Sequence, residues 1–153
     1  MFAPGAIGSF KGGLTAAHPL FGDFSGAFPE YRLYASGSTT DGVIQQMLFN
    51  LNDTAPAAPI VPNDTTWMFT VYVVARRTDA DNESAAYWLQ GCVDNNAGTV
   101  ALVGAVQKTA IEDTPAWDVN TVVAGTRLNL RVTGEAAKTI YWNAVMHIVQ
   151  VSG

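Results

Sequence analysis

The residues able to do chemistry in this chain are few and scattered. Only two histidines occur, His18 and His147. His18 stands before Pro19, and alternation puts His147 on the face of a terminal strand opposite Trp142. Two isolated imidazoles fall short of the three or four ligands a zinc site requires. The single cysteine, Cys92, follows Gly91 in an apolar strand, has no histidine motif around it, and reads as a small buried hydrophobe. Ser9, Ser25 and Ser36 lie near glycines, but none sits in the Gly-x-Ser-x-Gly turn that exposes a hydrolase nucleophile. Asp79, Asp81 and Glu83 alternate as calcium ligands can. The loop pattern then fails, with Ser84 where glycine must turn the chain and Gln90 where a bidentate glutamate closes the site. A solvated hairpin tip accounts for these acids better. No glycine-rich phosphate cradle is present, and no paired carboxylates stand on a scaffold suited to glycoside hydrolysis. The sequence therefore predicts a protein that is not an enzyme, with no catalytic residue, cofactor or metal.

The elements that would position any site read as β. Strands are expected at Tyr31–Ser36, Val43–Asn50, Trp67–Arg76, Ala85–Val93, Thr99–Thr109, Trp117–Val123, Thr126–Thr133 and Thr139–Val151, from alternation and β-branched or aromatic enrichment. Trp67, Phe69, Val71, Val73 and Ala75 fall on one face. Leu128, Leu130 and Val132 face in while Arg127, Asn129 and Arg131 face out, and Ile140, Trp142, Ala144, Met146 and Ile148 share a face. The four tryptophans lie in strands, where packing is the default role. Asp94–Gly98 and Thr133–Lys138 carry hairpin chemistry, and the prolines between Ala55 and Asn63 stiffen a longer crossing. The expected fold is all-β: a two-sheet antiparallel sandwich, jelly-roll-like, with an extended N-terminal strap.

That strap, residues 1–30, differs from the domain at 31–153. It holds six of the fourteen glycines, three of the seven prolines and five of the seven phenylalanines. Glycine and proline argue against regular structure, yet flexible tails are normally poor in aromatics. Phe2, Phe10, Phe21, Phe24 and Phe28 are therefore expected to dock the strap onto a partner.

Composition narrows the partners. Charged residues are 14% of the 153, against about 25% in ordinary globular proteins, so part of the surface is expected to be covered by other subunits. A net charge of −5, with Arg76-Arg77 the one adjacent basic pair, argues against nucleic acid. No apolar run reaches the ~18 residues of a membrane span, the N-terminus lacks the features of a secretory signal, and one cysteine cannot form an internal disulfide. Folding in a reducing cytoplasm is expected.

From about Leu33 to Val151 the chain resembles a β-domain found near the C-termini of bacteriophage virion proteins, including tail fibres and other surface appendages. The resemblance rests on an ordered series: Thr39-Thr40-Asp41, Pro62-Asn63-Asp64-Thr65-Thr66-Trp67, Val73-Val74-Ala75-Arg76-Arg77-Thr78-Asp79, Ser84-Ala85-Ala86-Tyr87, Asp94-Asn95-Asn96-Ala97-Gly98-Thr99, Ala101-Leu102-Val103-Gly104, Ala116-Trp117-Asp118-Val119, Val132-Thr133-Gly134 and Thr139-Ile140-Tyr141-Trp142-Asn143-Ala144. It implies a virion structural role, a β-sandwich and a homotrimer. The expectation is a capsid decoration (cement) protein on the particle exterior, bound to other virion proteins of capsid or tail. The alternative is a receptor-binding knob or short tail fibre that meets host surface glycan.

Overall fold

The computed structural model describes residues 30–50, 56–80 and 82–153. These residues form ten strands: β1 (Glu30–Thr39), β2 (Ile44–Met47), β3 (Phe49–Asn50), β4 (Thr65–Arg77), β5 (Ser84–Asn96), β6 (Thr99–Leu102), β7 (Gln107–Glu112), β8 (Asp118–Ala124), β9 (Arg127–Thr133) and β10 (Ile140–Ser152). A seven-stranded sheet runs β3-β1-β10-β4-β5-β6, with β7 also pairing β5, and a three-stranded sheet runs β2-β9-β8. Every ladder is antiparallel. The all-β, two-sheet expectation holds. The jelly-roll detail does not follow from it, since such folds arrange eight strands in two Greek keys and here ten strands divide seven and three.

Alternation builds the core. Trp67, Phe69, Val71, Val73 and Ala75 of β4 face inward as expected, as do Ile140, Trp142, Ala144, Met146 and Ile148 of β10. Leu128, Leu130 and Val132 of β9 meet them from the small sheet, with Trp117 and Val119 beside them. Two of the indole N–H groups inside this core find side-chain partners. Trp67 donates its indole N–H to Gln150 Oε1 at 2.8 Å, and Trp142 donates to Thr39 Oγ1 at 2.9 Å. Gly91 lies opposite Phe69, whose ring fills the place of a side chain.

Two predicted strands are split. The run Val43–Asn50 leaves one sheet at Leu48: β2 pairs β9 of the small sheet, whereas β3 pairs β1 of the large one. The run Thr99–Thr109 breaks at Gly104, which takes a φ of 77°. As a result β6 covers the Val93–Asn96 end of β5 and β7 covers the Ala85–Gln90 end. The Asp94–Gly98 turn is tighter than predicted, with Ala97 and Gly98 both at positive φ (51° and 89°) as a two-residue hairpin with its strands' twist requires.

Candidate functional site

The large sheet covers the small one on its inner side only. On its outer side, residues from successive strands line up in rows fixed by the register. One row runs Tyr34, Val145, Tyr72, Trp88, Thr109 across five strands. Tyr34 is 55% exposed, Tyr72 55% and Trp88 48%. The Tyr72 and Trp88 rings stack with centroids 6.4 Å apart and planes 7° from parallel. They form an exposed aromatic pair that no residue of the small sheet covers. The next row runs Arg32, His147, Thr70, Gln90, Gln107. At its β5–β7 end it is neutral, and a shallow hollow of about 100 Å³ opens there between Trp88, Gln90, Gln107 and Thr109.

A second opening, of about 430 Å³, lies where β1 parts from β2, among Ser36, Ser38, Gln45, Gln46, Asn50 and Trp142. Amides, hydroxyls and an aromatic edge line it, with no ionisable side chain. Both openings therefore offer neutral hydrogen-bonding groups that can donate and accept.

The ionisable groups gather instead at the β4–β5 turn. Arg77 donates to Asp79 through Nε (2.8 Å) and Nη2 (3.2 Å), and to Glu83 through Nη1 (3.0 Å). Lys138 donates to Glu83 and to Glu135, each at 2.7 Å. The hydrogen bond from Arg77 holds the Asp79 carboxyl below the usual range, and the one from Lys138 does the same for Glu83. These acids are thus engaged by cations and clasp one end of the sandwich. Asp81, the third oxygen of the rejected calcium pattern, lies outside the described residues, as do His18, Ser9 and Ser25. Phe2, Phe10, Phe21, Phe24 and Phe28 of the strap also fall outside them.

His147 stands on the outer face, opposite Trp142 as alternation predicts, with its Nε2 2.7 Å from Glu30 Oε1. Cys92 departs from its reading. It is partly exposed, because Tyr87, Leu89 and Val93 take the inward positions of β5 and leave Cys92 on the outer side. Trp88 departs from the packing role for the same reason. Its outward position was legible in the sequence, since an even position on β5 alternates with those buried neighbours. Asn129, expected to face out, is 4% exposed. Its Oδ1 accepts a hydrogen bond from Gln46 Nε2 at 3.1 Å.

No family model and no curated protein matches the chain. Solved structures do. The tailspike protein of Acinetobacter baumannii phage AM24 is 8% identical, with a TM-score of 0.44 over 81% of this chain and 27% of that one. The tailspike protein gp49 of Acinetobacter baumannii bacteriophage Fri1, a capsular polysaccharide depolymerase, is 14% identical, with a TM-score of 0.37 over 80% of this chain and 20% of that one. The chain thus spans about a quarter and a fifth of the lengths of these proteins.

Both neighbours are phage tailspike proteins, and neither is a capsid decoration protein. The expectation that the chain is not an enzyme is corrected, because a capsular polysaccharide depolymerase stands among its structural neighbours. The physical reason is general. A scan for motifs along a chain tests spacing in sequence, whereas sheet register joins residues as distant as Tyr34 and Val145. The lack of a linear motif therefore does not exclude a catalytic constellation.

Proposed function

We propose that this chain is a bacteriophage virion protein of the tail-attachment class, and that it presents the outer face of its large sheet to the polysaccharide of the host surface. The observation that carries this reading is the row Tyr34, Val145, Tyr72, Trp88: apolar and mostly aromatic, uncovered by the domain's own second sheet and bordered at its β5–β7 end by the amides of Gln90 and Gln107. Exposed aromatic groups beside a few hydrogen-bonding side chains suit recognition of a ligand with an apolar face and a polar rim. The ordered motif resemblance from Leu33 to Val151 supports a virion role. The test is capture of the chain by cells that carry their surface polysaccharide and not by cells stripped of it.

Residues 1–30 are proposed as the strap that anchors the domain to other virion proteins. Burying one phenylalanine contributes roughly 1.5–3 kcal/mol, while ordering the chain costs about 1–2 kcal/mol per residue. Several of Phe2, Phe10, Phe21, Phe24 and Phe28 must then engage together. Deleting residues 1–28 is expected to leave a folded domain that no longer joins particles lacking the wild-type protein. Normal incorporation of the shortened chain would show that the anchor lies elsewhere.

A further inference from the structure

The exposed face has a polarity that decides between its possible occupants. Trp88 and Tyr72 provide two exposed, near-parallel aromatic rings. Beside it, Gln90 and Gln107 lie opposite each other across the β5–β7 ladder, and Thr109 continues the Trp88 row. The hollow between them has no ionisable lining. On the row that contains Gln90, the first ionisable side chain is His147, two strands away, which is about 10 Å at ordinary strand spacing.

A dry protein interface laid on this face would strip water from two amides and a hydroxyl without assured partners, which is costly. A pyranose ring has the complementary surface. The C–H groups of one ring face pack on an aromatic plane, while its hydroxyls radiate outward, donating and accepting hydrogen bonds as a carboxamide or a threonine hydroxyl also does. The lining carries no cation to neutralise an acidic sugar.

We infer that Trp88, Gln90, Gln107 and Thr109 form a subsite for a neutral pyranose unit of a polysaccharide, stacked on the Trp88 indole and continued along the sheet by Tyr72. This assignment rests on the attachment reading and names the place and chemical class of its ligand.

Nuclear magnetic resonance on the full chain tests it, with cellotriose, maltotriose and tri-N-acetylchitotriose as neutral probes and trigalacturonate as the acidic one. At least one neutral probe should shift the Trp88 indole N–H together with the Gln90 and Gln107 side-chain amides, with a dissociation constant in roughly the millimolar range. Trp88→Ala should weaken that binding by about tenfold, the loss of one aromatic contact. Trp88→Phe should recover part of it, and Gln90→Ala with Gln107→Ala should weaken binding while leaving the Tyr72–Trp88 ring pair intact. All four positions are at or near the surface, so these variants keep their fold.

The assignment is overturned if no neutral probe shifts these groups, or if trigalacturonate binds as well as they do. It is equally overturned if Trp88→Ala alters only sedimentation, which would make the face a contact between copies of the chain. Capture by cells separates the two levels of the account. Wild-type and Trp88→Ala chains captured equally would sink the subsite and leave attachment standing, whereas capture of neither would sink attachment itself.

Discussion

Replacing Trp142 with alanine should destabilise the domain by about 4 kcal/mol, the cost of removing a fully buried tryptophan, and lower its melting temperature by roughly 10–20 °C. Trp142 is 1% exposed near the start of β10. Its ring lies 6.0 Å from that of Trp117 and 6.4 Å from that of Tyr87, so the substitution opens a cavity between the two sheets. It also removes the donor to Thr39 Oγ1, a buried hydroxyl on β1. Trp142→Phe, which keeps most of the volume and loses only the N–H, should cost clearly less. Thermal unfolding of both variants checks this. Equal losses would mean that the hydrogen bond rather than the packing dominates, and a loss under about 1 kcal/mol would contradict the core assignment.

Gly134→Ala should be nearly as damaging, by about 3 kcal/mol, although it adds a single methyl group. A Cβ at Gly134 would lie 2.3 Å from Thr39 Oγ1, 2.9 Å from Thr39 Cβ and 2.8 Å from the Asp41 carbonyl oxygen. Two of these belong to the beginning of a side chain and to backbone, so no flexible tip can move aside. Displacing Thr39 would also break its bond with Trp142. Gly42→Ala is the internal control, since the one atom near its added Cβ is the Gly134 carbonyl oxygen at 3.9 Å. Denaturant melts should separate the two variants widely. Similar stabilities would show that the β1–β2 turn and the Gly134 turn do not pack as described.

Much of the fold was legible because a strand's period is two and the core is large. Faces read from β4, β9 and β10 placed Trp67, Leu130 and Trp142 inside, where they are. The breaks were less legible. Nothing local marks Leu48 as the point where the chain changes sheets, since that depends on which strands lie alongside. Gly104 did carry a local signal, but glycine inside an apolar run is ambiguous until its φ is known. The buried side of Asn129 depends on Gln46, 83 positions away in sequence.

The candidate site was less legible than the fold. That Trp88 points outward follows from parity on its own strand. Its alignment with Tyr72 and Tyr34, and the placing of Gln90 beside Gln107, require the registers of β1, β10, β4, β5 and β7 together. Pairwise register is a property of the sheet and is written in no single segment. Histidine, cysteine and carboxylates carry recognisable motif spacings, whereas a surface made of aromatics and amides carries none.

The role proposed for the chain is to attach a phage particle to host polysaccharide. Its most direct test labels the whole chain with a fluorophore and mixes it with cells of the bacterium on which the phage grows, before and after removal of their surface polysaccharide. Saturable binding to the intact cells, lost on the stripped cells and competed by the soluble polysaccharide, is the predicted result. Equal binding to stripped and intact cells, or binding to neither, would contradict the account.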